Sequence, residues 1–202
     1  AAAALGLDAY LDLETTHITV VDAAGNVVAY TCTIESEGGN GIVVPGYGFL
    51  LNNELTDFAI PPNVTDVHPN VLEPGKRPRS SIAPTMVMEG DRLVLALGSP
   101  GGSTIITTAL QIMTSYLDLA MPLPDALAAP RVSQRNTPSA AAETTFLATP
   151  EAAALQALGH VFVDAGAIGA ATAIEVAADG TLTVAAEPVR RNGGSAMVVE
   201  AQ

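Results

Sequence analysis

Two hydroxyls, a few acids and a glycine pair are the residues of this sequence best placed by type and spacing to do chemistry. Thr15 and Thr16 open the segment Glu14-Thr15-Thr16-His17-Ile18-Thr19-Val20-Val21-Asp22, and Thr33 closes the next apolar run. A threonine hydroxyl is a weak nucleophile at its ordinary pKa and needs a base beside it. A threonine whose own α-amino group is free carries such a base, one that titrates near about pH 8. Thr15 is internal here, so its amine is released only if the chain is cut between Glu14 and Thr15. Without such a cut, these threonines read as ordinary occupants of a half-buried strand.

The segment Ser99-Pro100-Gly101-Gly102-Ser103 follows an apolar run and precedes a helical pattern. A strand, a glycine turn and a helix start present backbone N–H groups to an anion. Two such donors can stabilise charge that develops on a carbonyl oxygen. No lysine follows the glycines, which argues against a phosphate loop; a tight turn that needs glycine is the plainer alternative. Glu54 and Asp57 follow Asn52-Asn53 and could grip a substrate ammonium, although most paired acids are solvated loop edges. Ser80 and Ser81 end the run Lys76-Arg77-Pro78-Arg79 and, taken alone, read more readily as loop serines than as a binding pair.

The elements that must position these groups follow from periodicity. Residues 17–22 alternate loosely, as a strand requires. Asp22-Ala23-Ala24-Gly25-Asn26 predicts a type I turn with Gly25 left-handed in a bulge, and residues 27–34 are β-branched and aromatic. A three-residue loop of that kind pairs Asp22 with Asn26. Counting back along both strands pairs Thr15 with Thr33 and puts a second hydroxyl across from the first. His17 lies two residues from Thr15 on the same face and is read as structural. Residues 35–40 read as a polar loop, 41–44 and 48–51 as short strands about Pro45-Gly46, and 58–75 as a proline-rich loop. Residues 85–88 and 92–97 form a hairpin, and 103–119 a helix with Ile105, Ala109, Ile112, Met113 and Tyr116 on one stripe. Short helices at 126–129 and 152–158 precede strands at 161–163, 171–176 and 181–185. The order predicts an α+β layered fold. Residues 1–14, rich in Ala and Leu, could be helical, and no linker is evident after them.

Composition narrows the function. At 202 residues, 49% hydrophobic and 14% charged, the chain can bury a core and is unlike a disordered one. A net charge of −13 argues against nucleic-acid binding, which needs basic patches. A single cysteine, Cys32, excludes an internal disulfide. No stretch approaches a membrane-spanning length, and the N-terminus lacks the basic region of a signal peptide.

Four blocks in register resemble the small subunit of a gamma-glutamyltransferase (glutathione hydrolase): the Thr15 segment, Leu50-Leu51-Asn52-Asn53-Glu54-Leu55-Thr56-Asp57-Phe58, Lys76-Arg77-Pro78-Arg79-Ser80-Ser81, and Gly98-Ser99-Pro100-Gly101-Gly102-Ser103. The resemblance implies an N-terminal-nucleophile hydrolase with an αββα sandwich, of which this chain is the small-subunit half. Residues 1–14 would then be an upstream or pro-segment and 15–202 the catalytic part. It implies autoproteolysis between Glu14 and Thr15, Thr15 as nucleophile, Thr33 as its hydrogen-bond partner, and the Gly101 and Gly102 amides as the oxyanion hole. Glu54 and Asp57 would bind the α-ammonium of the donor, and Ser80 and Ser81 its α-carboxylate. The family often has Asn where this chain has Glu35, and some members carry a Tyr-bearing lid between the positions of Asp57 and Ser80 that this sequence lacks. An open site favours hydrolysis or larger acyl donors, as in the cephalosporin and glutaryl acylases that are the alternative, with an inactive unprocessed homologue as a third reading. The resemblance calls for no metal or cofactor. It implies a large subunit from the same precursor as partner, with water or an amino acid or peptide as acyl acceptor, and a periplasmic or secreted location.

Overall fold

The computed structural model describes residues 15–59 and 68–199. The expected helix within residues 1–14 lies outside them. Where the sequence shows no linker, the chain nevertheless divides into two units. One takes Ala1–Thr15 and Cys32–Ser81, the other Thr16–Thr31 and Ile82–Gln202.

The second unit is built in layers. Strands β1 (Thr16–Val21) and β2 (Val27–Cys32) form a two-stranded sheet. Its turn is the expected one: Gly25 has φ +83°, and the Asp22 carboxylate accepts the N–H groups of Ala24 and Asn26 at 2.9 and 2.8 Å. A second sheet runs in the order β3 (Thr85–Glu89), β4 (Arg92–Gly98), β8 (Thr172–Val176), β9 (Leu182–Ala186), antiparallel throughout. Alternation along β4 decides what covers each face. Leu95 and Leu97 join Ala173 and Ala185 in a core with Ala109 and Ile112 of α1 (Ile105–Leu117) and Leu123 and Leu127 of α2 (Leu123–Ala128). Gly98, on the other face, lies under the ring of His17 in β1, and Thr172 of β8 meets Thr19 at 3.3 Å. Helices, four-stranded sheet and hairpin thus stack as three layers of an αββα sandwich, and the α+β class is as expected. On the outer face of the hairpin Ile18, Val20, Val28 and Tyr30 are about half exposed.

Helix α1 begins later than expected because Gly102–Thr104 is a separate 3-10 turn. It buries Ile105, Ala109 and Ile112, with Met113 and Tyr116 against the same core. Three elements escape the periodicity reading. β5 (Val132–Ser133) and β6 (Ala140–Ala142) pair antiparallel, and α3 (Thr144–Leu147) follows. Two- and three-residue strands rich in alanine carry no β signal of their own. Helix α4 (Pro150–Ala157) opens on a Thr149 hydroxyl that accepts the Ala152 N–H, and β7 (Phe162–Asp164) then pairs with β6 in parallel.

In the first unit, the strands expected at 41–44 and 48–51 reduce to a single antiparallel bridge, Val43 to Leu50. A 3-10 helix, Glu54–Asp57, was not expected. The stretch read as a loop bridges Ala59 to Val71, and its middle lies outside the described residues.

Candidate active site

The hairpin register brings the two candidate hydroxyls together: Thr15 Oγ1 lies 2.9 Å from Thr33 Oγ1. Asp22 with Asn26, and His17 with Thr31, follow the same register one turn of the ladder at a time. Just past the strand, the Thr33 hydroxyl accepts the N–H of Glu35 at 2.9 Å. Glu35 itself has φ +76°, a left-handed conformation that costs a non-glycine residue on the order of 1–3 kcal/mol unless its surroundings hold it. They do. Glu35 Oε2 accepts from Ser36 Oγ at 2.5 Å, from Thr56 Oγ1 at 3.1 Å and from Asn53 Nδ2.

Asn53 immediately precedes the 3-10 helix that carries Glu54 and Asp57, so all three acids belong to one unit and act on one another. Burial, then the Asp57 and Glu35 charges, push the Glu54 carboxyl above its ordinary range. Burial and then Glu35 push Asp57 up, partly offset by the Arg79 guanidinium. Carboxyls raised by burial and by a neighbouring carboxylate are stabilised in their charged form when a cation enters beside them. Asn70 links this group to the serine pair, donating to the Asp57 carbonyl at 2.7 Å and accepting the Arg79 N–H at 2.9 Å. Ser80 and Ser81 follow directly, the first exposed and the second half-buried.

The glycine pair belongs to the other unit. Gly101 has φ +140° and Gly102 φ +52°. A Cβ on Gly101 would lie 2.7 Å from Thr104 Oγ1 and 3.3 Å from Gly169 Cα, so only glycine fits this turn. The Gly101 carbonyl accepts from both the N–H and the hydroxyl of Thr104, at 3.0 and 2.7 Å. Ser99, fully buried, donates to the Pro100 carbonyl and accepts the Ala170 N–H at 3.0 Å. The loop holding Ala170 is anchored in turn. Ile168 gives its carbonyl to Arg131 Nη1 at 2.7 Å and its N–H to Glu143 Oε1 at 2.8 Å.

Arg131 and Glu143 are half of a buried quartet. Arg131 meets Glu187 at 3.1 Å, and Arg190 bridges Glu143 at 2.5 Å and Glu187 at 3.0 Å. Burial pulls the Arg131 pKa down, aided by the neighbouring Arg190 charge and opposed by both glutamates. Burial alone would raise Glu143, but the Arg190 side chain and the N–H groups of Ile168 and Arg131 outweigh it and hold the carboxyl below its ordinary range.

His17 is held as a structural group. Its Nδ1 lies 2.7 Å from Thr31 Oγ1 and its Nε2 3.2 Å from Thr19 Oγ1. Burial lowers its pKa from 6.5 to about 4, so the ring is neutral at neutral pH.

Of the expected residues, Thr15, Thr33, Glu35, Glu54, Asp57, Ser80 and Ser81 fall in one unit, with Gly101 and Gly102 in the other. Glu14 lies outside the described residues. Asn53, Ser36, Thr56 and Asn70, which hold the acids, were not singled out from the sequence. Only the Asn52-Asn53 pair at the head of the acidic block could have signalled them, since side-chain caps favour asparagine. Among the described residues, no group of three or more His, Cys, Asp or Glu could hold a metal ion, and no helix is long and apolar enough to cross a membrane.

Known proteins resemble this chain over most of its length. The glutathione hydrolase proenzyme of Bacillus subtilis (strain 168) is 51% identical over 120 residues, 59% of this chain and 20% of that protein. The acylase ACY 1 proenzyme of Pseudomonas sp. (strain SE83) is 38% identical over 203 residues, 95% of this chain and 34% of its own length. The chain therefore spans about a third or less of these curated relatives. A solved gamma-glutamyltranspeptidase from Pseudomonas nitroreducens, complexed with L-DON, superposes with a TM-score of 0.82 at 36% identity, covering 92% of this chain and all of that one. The gamma-glutamyltranspeptidase family matches residues 3–198, nearly the whole sequence, and the chain belongs to that family.

Proposed function

We propose that this chain is the nucleophile-bearing part of an enzyme that moves a γ-glutamyl group from an amide to water or to an amine. The observation that carries the reading is the Thr15–Thr33 hydroxyl pair, fixed in the same unit as the Glu35, Glu54 and Asp57 carboxylates. In the mature enzyme, Thr15 begins its chain and its free α-amine takes the proton as Oγ1 attacks the γ-carbonyl carbon. The Gly101 and Gly102 N–H groups hold the oxyanion. Collapse of the adduct breaks the C–N bond, the α-ammonium protonates the departing amine, and an ester remains on Thr15. Water or an acceptor amine then attacks the ester and restores the hydroxyl. Glu35, Glu54 and Asp57 bind the α-ammonium of the donor, and Ser80 and Ser81 its α-carboxylate.

The same hydroxyl makes the mature chain. Thr15 Oγ1 attacks the Glu14 carbonyl, the peptide becomes an ester, and water releases the two pieces, with residues 1–14 left on the upstream side. The upstream piece is the large subunit that completes the enzyme. The test is a Thr15→Ala variant of the full precursor. It should remain one band on a denaturing gel and hydrolyse no γ-glutamyl p-nitroanilide. Two bands would remove Thr15 from its role, and a wild-type precursor that never splits would favour an inactive homologue.

A second reading, an acylase acting on glutaryl amides, rests on the acylase relative that matches 95% of the chain. A glutaryl group lacks the α-ammonium. The three acids therefore favour the γ-glutamyl donor, and a wild-type preference for glutaryl p-nitroanilide would reverse the order of the two readings.

A further inference from the structure

Asn53 is hydrogen-bonded through its backbone and through both side-chain atoms, one of them facing the Glu35 carboxylate, and no step of the reaction accounts for it. Its backbone N–H donates to the Ile34 carbonyl at 3.2 Å, and its carbonyl accepts the N–H and hydroxyl of Thr56, each at 2.9 Å. Its Oδ1 accepts the Ser36 N–H at 2.9 Å. Its Nδ2 faces Glu35 Oε2, Ser36 Oγ at 3.0 Å and Thr56 Oγ1 at 3.1 Å. An amide donates only from nitrogen and accepts only at oxygen. With the Ser36 N–H fixing Oδ1, the nitrogen must point at the Glu35 carboxylate.

The peptide on the other side of Glu35 is held as well, since its N–H donates to Thr33 Oγ1. Glu35 is thus gripped at its backbone by the partner of Thr15 and at its carboxylate by Asn53, in a left-handed conformation that a free chain would leave. These three donors to the carboxylate all use Oε2.

We propose that Asn53 is a positioning residue for donor specificity. By holding Glu35 Oε2 it turns Oε1 to a protonated α-amine on the acyl donor, and the same three-residue turn ties ammonium recognition to the Thr33 hydroxyl beside the nucleophile. The inference rests on the γ-glutamyl reading above. It assigns to Asn53 the selection of α-aminated acyl groups over those that lack the amine.

The experiment compares γ-glutamyl and glutaryl p-nitroanilides with the processed, full-length enzyme and its Asn53→Asp, Asn53→Ala and Glu35→Gln variants. Asn53→Asp keeps the acceptor for Ser36 and replaces the donor with a second carboxylate oxygen. It should raise KM for the γ-glutamyl donor at least tenfold, change kcat less, and move the acid limb of that donor's pH profile upward, because two facing carboxylates share a proton. The glutaryl donor should lose far less. In the Glu35→Gln background, Asn53→Asp should cost little more, since the residue acts through Glu35. Equal losses on both donors, an unmoved acid limb, or additive losses in the double variant would overturn the proposal. If Asn53→Asp fails to mature, Asn53→Ala carries the same donor comparison and must lose selectivity. A wild type without preference for the γ-glutamyl donor would overturn the donor reading itself. A wild type that has the preference, with an Asn53→Asp variant that keeps it, would overturn only the role of Asn53.

Discussion

Thr33 serves two neighbours with one oxygen. It accepts the Glu35 N–H, which leaves its own proton and one lone pair for Thr15. Removing that oxygen strips the proposed nucleophile, Thr15, of a hydroxyl 2.9 Å away and frees the N–H that holds Glu35 in its left-handed turn. Thr33→Ala should therefore slow cleavage between Glu14 and Thr15 by about tenfold, the 1–2 kcal/mol expected of one hydroxyl contact, with the fold intact. A time course of precursor processing on denaturing gels measures it, and an unchanged rate would show that the contact does not matter for maturation. The pairing of Thr15 with Thr33 was legible in the sequence because a turn type fixes a register and a register fixes partners. The grip on Glu35 was not legible. It depends on Asn53 and Thr56, some twenty residues further on, and no local pattern says that a polar residue in one loop will meet a carboxylate in another. The left-handed backbone of Glu35 was hidden for the same reason, since nothing marks a glutamate for a conformation that glycine and asparagine usually take.

At the scale of elements, His17 joins the hairpin to the four-stranded sheet. Its ring lies where a Cβ on Gly98 would stand, 2.2 Å from Cε1, and both nitrogens are engaged by threonines. Charging this ring in place is costly, as its lowered pKa records. The unfolded chain binds the proton near pH 6.5 and the folded chain only near 4. Stability at neutral pH is therefore unaffected by this group, falls as pH drops through that window, and levels off below it. The loss should reach about 3 kcal/mol. Urea midpoints at pH 7 and pH 4.5 should differ more for wild type than for His17→Gln, which has no ring to protonate. Equal differences would mean that the ring titrates near its ordinary value. The long helix α1 and the two large hairpins were legible from periodicity because each buries one face. The strands β5 and β6 were not, because Ala140 and its neighbours gain their place from pairing with β7, well separated in sequence. The quartet of Arg131, Glu143, Glu187 and Arg190 was equally silent: four charges spread over sixty residues look like surface until the fold buries them together.

For the whole molecule, charge and bare apolar surface oppose each other. The chain carries −13, which keeps copies apart at low salt. Yet one unit leaves Ile18, Val20, Val28 and Tyr30 half exposed on its outer sheet, and the other leaves Tyr47 and Phe49 uncovered on its bridge. Such surface on an acidic chain is held apart by repulsion over about 10 Å at moderate salt and less as salt rises. Residues 15–202 made alone should be monomeric at low ionic strength and self-associate at high salt, as sedimentation velocity would show. A salt-independent monomer would mean that these faces are not adhesive. The half-exposed hairpin face has a further consequence in time. In the precursor proposed above the larger part would be synthesised first, before the hairpin with its half-exposed Ile18, Val20 and Val28 leaves the ribosome. Thr15 lies just ahead of β1, so under the maturation proposed above anything that packs on the hairpin's outer face does so beside the bond to be cut.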